Sequence, residues 1–108
     1  MNHMFDVDFA TIYGINAAIL FQGFYWWCEH NRANDKNFHD GYYWTFNSIK
    51  ALQIMFPYMG QKQIVSAIDK LVQNGLIVKG NYNKSPYDRT TWYAITKKGY
   101  SILLKGKM

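Results

Sequence analysis

The chain has 108 residues, of which 49% are hydrophobic and 19% aromatic. That length and apolar content exclude a disordered chain and leave no room for two ordinary domains, so residues 1–108 read as one domain. The single cysteine, Cys28, excludes an internal disulfide scaffold.

The net charge of +5 matters less than where it sits. Residues 1–40 hold two basic and five acidic side chains, net −3, whereas residues 41–108 hold ten and two, net +8. Such a split suits a face built for a polyanion. The plainer alternative is that the lysines serve solubility alone. The N-terminus, MNHMFDVDF, lacks the basic region of a signal peptide. The most apolar stretch, Ile15 to Cys28, is interrupted by Gln22 and Gly23 and is shorter than the ~20 residues that span a bilayer. We therefore expect a soluble, cytoplasmic protein with no membrane partner.

The first predicted helix runs from Thr11 to Arg32 and carries two apolar stripes. One is Tyr13, Ala17, Leu20, Phe24 and Trp27; the other is Ile12, Ile15, Ile19, Gly23 and Trp26. A helix apolar on two sides must be covered on two sides. Either a second copy covers one stripe, giving a homodimer that buries part of the Tyr13–Trp27 stripe, or flanking segments of the same chain fold over the second stripe.

Residues 33–41 are polar and turn-rich and read as a loop. Tyr42 to Phe46 reads as a strand, with Tyr43 facing away from Tyr42 and Trp44. Asn47 or Ser48 can cap a helix over Ile49–Met55, which Pro57 stops, and 57–60 is a tight turn. The next helix, Gln61 to Asn74, has Ile64, Ala67, Ile68 and Leu71 on its core face and ends at Gly75, suited to a left-handed C-terminal position. Leu76–Tyr82 and Arg89–Ile95 read as two strands of a hairpin with a loop over 83–88. Thr96 can cap a last short helix containing Tyr100, Ile102, Leu103 and Leu104.

A helix, turn and helix followed at once by a two-stranded hairpin is the order of a winged helix-turn-helix. Three stretches of the sequence resemble that DNA-binding family: KQIVSAIDKLVQNGLIVKG at 62–80, DRTTWYAIT at 88–96 and ITKKGYSILL at 95–104. The stretch DGYYWTFNSIKAL at 40–52 is similar to winged-helix domains of phage and prophage replication proteins, including DnaD-like and replisome-organiser N-terminal domains. Gly60 stands where that family often has Ser or Thr at the start of the recognition helix. The resemblance implies an α+β, mainly helical fold: a three-helix core, a β-hairpin wing and a short C-terminal helix. It also implies sequence-specific binding of double-stranded DNA, with a role in transcription regulation or as a replication accessory of a phage or mobile element. The alternative is a winged-helix adaptor or inhibitor that binds a protein of a nucleic-acid machine and not DNA itself.

On the exposed face of the 61–74 helix, Lys62, Gln63, Ser66, Lys70 and Gln73 combine amides, a hydroxyl and cations, which suit base edges and phosphates. Asp69 on the same face would repel phosphate. On the wing, Lys79, Asn83, Lys84 and Arg89 suit the backbone or the minor groove. Arg89 could instead pair with its neighbour Asp88. Tyr82 and Tyr87 could stack or pack nearby. Assembly as a homodimer is expected to use the first and last helices.

No catalytic pattern emerges. His3, His30 and His39 have no metal-ligand spacing, no serine lies in a nucleophile motif, and no glycine-rich loop follows a strand. We expect neither an enzyme nor a cofactor.

Overall fold

In the computed structural model, residues 2–104 are described. The first predicted helix divides in two at Gly14. Helix α1 (Val7–Tyr13) is capped by Asp6, whose carboxylate accepts the Phe9 N–H at 2.8 Å. Helix α2 (Ile15–Ala33) follows directly. The break lies at Gly14, whose φ of +94° is strained for any residue with a side chain. The hinge lets α1 fold back so that Phe9 stacks on Phe21 of α2, ring centroids 4.6 Å apart.

A short hairpin follows, β1 (Phe38–His39) paired antiparallel with β2 (Tyr42–Tyr43). Its first strand falls in the predicted loop. The reversal needs left-handed backbone at Asp40 and Gly41, the residue types that tolerate it best. The predicted strand 42–46 is interrupted at Trp44, after which β3 (Thr45–Asn47) joins a different sheet. Helix α3 (Ile49–Met55) starts at Ser48, whose hydroxyl accepts the Ala51 N–H. After the turn, α4 (Gln61–Gln73) runs to Asn74, and Gly75 takes the left-handed position. Strands β4 (Ile77–Gly80) and β5 (Thr91–Ile95) pair antiparallel. Helix α5 (Lys97–Leu104) closes the described chain; the Thr96 hydroxyl accepts the Gly99 N–H at its start.

The molecule is thus α+β and mostly helical, with five helices and two small antiparallel sheets among the described residues. The three-stranded sheet has the order β3–β5–β4, with Phe46 opposite Trp92 and Gly80 opposite Trp92 on the other side. Its two faces serve two cores. Tyr93, Ile95 and Ile77 join the main core with Leu20, Phe24, Leu52, Met59, Ile64, Ile68 and Leu71. Trp92, Ala94 and Val78 face the other way, where Trp44, Tyr42 and Tyr82 complete a small aromatic core. The β1–β2 hairpin supports that second core: His39 stacks on Tyr82 at 4.4 Å, and the Trp44 indole N–H donates to the His39 carbonyl. Tyr43 lies on the opposite side, as alternation requires, and its hydroxyl donates to Asp35.

The Tyr13–Trp27 stripe of the first predicted helix is the one that faces the chain's own core. Ala17, Leu20 and Phe24 are buried there. This corrects the expectation that a second copy covers that stripe. The second stripe stays partly open, with Ile12, Ile15 and Trp26 exposed and only Ile19 buried.

Candidate nucleic-acid interface

Helix α4 turns Ile64, Ala67, Ile68 and Leu71 inward, and the three-to-four-residue spacing puts Lys62, Ser66, Asp69 and Gln73 outward, all exposed. This face forms one wall of an open cleft of about 690 Å³, whose lining also includes Ile49, Gln61, Val65 and Lys70. Gln61 was not singled out by the sequence pattern, although its place directly after the helix start puts it on the rim. Its amide donates to Gln53 of α3 at 3.1 Å, tying the two helices at the cleft edge.

The residues assigned from sequence fall into two groups. Lys62, Ser66, Gln73, Lys84 and Arg89 are exposed. Gln63, Lys70, Lys79 and Asn83 are already engaged within the fold. The Gln63 side-chain oxygen reaches back to accept the Gly60 N–H at 2.8 Å, the half of a capping box that needs no side chain at position 60. The Lys70 ammonium donates to the Tyr13 carbonyl, where α1 ends. Lys79 pairs with Asp69 at 3.7 Å. That pair offsets the carboxylate on the outer face of α4, and as an exposed pair it adds little stability.

Asn83 organises the loop between β4 and β5. Its side-chain amide donates to the carbonyls of Asp88 (3.2 Å) and Thr90 (2.7 Å), and its oxygen accepts the Trp92 indole N–H at 2.7 Å. A side chain with three internal bonds is a loop brace, not a free groove contact. Arg89 forms no ion pair with Asp88 among the described residues. The Asp88 carboxylate accepts the Thr90 N–H at 2.9 Å instead, and this bond holds its pKa below the ordinary value.

The free groups are therefore fewer than the composition suggests: on α4, Lys62 with Ser66, Gln73 and a partly neutralised Asp69, and on the β4–β5 loop, Lys84 and Arg89. Lys50, on α3, is also exposed.

Elsewhere, burial pushes the Cys28 thiol up to about 12, so it is a packed, protonated group. Among the described residues no three His, Cys, Asp or Glu side chains come together to hold a metal ion, and no helix is long and apolar enough to cross a membrane. No family model matches the chain, and neither a curated protein nor a solved structure matches it.

Proposed function

We propose that this chain is a winged-helix protein that binds double-stranded DNA, with α4 as recognition helix and the β4–β5 hairpin as wing. In this reading it works in the cytoplasm as a regulator or replication accessory of a phage or mobile element. The observation that supports it best is the α4 face: an amphipathic helix with its polar side open along a cleft and cations at Lys62 on the helix and Lys84 and Arg89 on the adjoining hairpin. Lys62 and Lys84 take phosphates, Ser66 and Gln73 reach base edges, and Arg89 lies along the backbone or minor groove.

The deciding experiment is a salt-titrated binding assay on duplex DNA. Affinity must fall steeply as salt rises, because each neutralised phosphate releases counterions. Lys62→Glu and Lys84→Glu should weaken binding to every sequence and each lower the magnitude of the slope of log K against log salt by about 1. A parent protein that binds no duplex at low salt ends the duplex-DNA reading.

A second reading draws on a different observation. Ile12, Ile15 and Trp26 are 71, 58 and 60% exposed along α1 and α2. Exposed apolar side chains on neighbouring helices favour a protein contact. In the adaptor reading a partner protein covers this face; in the DNA-binding reading a second copy does, making a homodimer with α5 contributing. Sedimentation equilibrium separates them: a dimer that Trp26→Glu dissociates supports self-association, and a monomer at high concentration removes it.

A further inference from the structure

The β4–β5 hairpin carries at its tip a side chain that the fold does not use. Tyr87 is 89% exposed, more than any other large apolar side chain among the described residues. No ring pairs with it there, in a protein whose other aromatic side chains cluster so readily. The tip that presents it is well built. The Ser85 carbonyl accepts the Asp88 N–H at 3.2 Å, closing a four-residue turn with Pro86 and Tyr87 at its centre. The Ser85 hydroxyl accepts the Tyr87 N–H at 3.2 Å, and Asn83, held by Trp92, ties the two ends of the loop together.

Proline at the second turn position pre-sets φ, whereas the third position is commonly served by Asp, Asn, Ser or Gly. The turn does not ask for a tyrosine. An aromatic ring placed there gains no burial within the chain and is open to a partner outside it. Lys84 and Arg89 flank the turn, both exposed, while the Asp88 carboxylate between them is directed to the Thr90 N–H. A flat ring with a cation on either side of it in sequence suits a flat base with its flanking phosphates. Side chains that wedge into a closed minor groove are typically apolar to the tip, whereas the phenol keeps a polar end that must stay wet. Stacking on an unpaired base lets it do so and tolerates any base, since each has a π-face.

We infer that Tyr87 is a base-stacking residue for an unpaired nucleotide, with Lys84 and Arg89 on the neighbouring phosphates, so that the protein favours duplex DNA bearing a single-stranded tail over blunt duplex. This rests on the DNA-binding reading and adds a substrate preference to it.

The test measures fluorescence anisotropy at fixed salt with two probes, a blunt duplex and the same duplex with a short oligothymidine tail. The parent should bind the tailed probe about tenfold more tightly, within the range that one base–aromatic stack supplies. Tyr87→Ala should lose that gain while keeping the parent's affinity for blunt duplex, and Tyr87→Phe should retain it. Thermal melts of both variants should match the parent, because the side chain is not packed. Salt-sensitive binding to both probes with equal affinity, or a preference that survives Tyr87→Ala, overturns the inference and leaves duplex binding standing. Binding to the tailed probe alone, lost in Tyr87→Ala, sustains the inference while removing the duplex reading. Binding to neither probe removes both.

Discussion

The Lys70 ammonium donates to the main-chain carbonyl of Tyr13 at 3.1 Å, across 57 positions of sequence. Tyr13 is the last residue of α1, so its carbonyl is among those left without an intrahelical partner, and a cation there also meets the negative end of the helix dipole. A residue on the outer face of α4 thus works as a brace between α4 and the first helix. Lys70→Ala should lower stability by about 1 kcal/mol, the usual net worth of one hydrogen bond. In the proposed DNA binding it should leave the salt dependence close to the parent's, unlike Lys62→Glu. A flattened salt slope in Lys70→Ala, with unchanged denaturant melts, would return Lys70 to the residues proposed to contact DNA.

Asn83 gives a second separation of brace from contact. Asn83→Ala leaves the Trp92 indole N–H and two loop carbonyls without their partners, at a cost of about 1–3 kcal/mol. The near-ultraviolet circular dichroism of the small aromatic core should change with it, because Trp92 sits in that core beside Trp44. Lys84→Ala, one residue away, should leave both stability and spectrum unchanged. Equal spectra for Asn83→Ala and the parent would show that the loop needs no such brace.

Gly99 sits where α5 crosses the end of β4. A Cβ there would fall on the Leu76 carbonyl oxygen and come within 2.9 Å of Ile95 Cγ2 and 3.1 Å of Phe21. Main chain on one side and the buried Ile95 and Phe21 side chains on the other leave little free to move. Gly99→Ala should cost at least ~1–3 kcal/mol, as overpacking does, and more if α5 detaches. Urea unfolding should show a lower midpoint; a midpoint equal to the parent's would mean that α5 does not pack here.

Cys28 predicts a pH dependence. Burial raises its pKa in the folded protein from 9.0 to about 12. A group whose folded pKa lies above its unfolded value favours folding fully below the unfolded pKa, and that contribution is lost as pH rises through the window up to the folded value. Stability should therefore fall between about pH 9 and pH 12. Tyr100, also pushed up to about 12 by burial, acts in the same direction from its ordinary value near 10. In denaturant melts across this window, Cys28→Ala should fall less steeply than the parent. Parallel curves would assign the loss to tyrosines alone.

The elements whose local chemistry is self-sufficient were legible in the sequence. Ser48 before Ile49, and the four apolar side chains of α4 between Gly60 and Gly75, specify helices through caps and a 3.6-residue period, and the structure places both within a residue of expectation. The β4–β5 pair and the Thr96 cap were legible for the same reason. Periodicity did not reveal the break at Gly14, because the apolar pattern continues across it and only the docking of Phe9 on Phe21 makes α1 turn back. Nor could it split the aromatic run 42–46 between two sheets. That division depends on Thr45 and Phe46 pairing with Tyr93 and Trp92, far away in sequence. The candidate site divides in the same way. Which cations and amides lie on the outer face of α4 and on the hairpin is a matter of spacing, and sequence alone determined it. Which of them remain free was decided by tertiary structure: Lys70 finds a helix end, Gln63 an uncapped N–H, Lys79 a carboxylate, and Asn83 two carbonyls and an indole. Polar side chains are drawn to whatever unsatisfied group the folded chain brings near them, and those groups come into reach only once distant segments have packed.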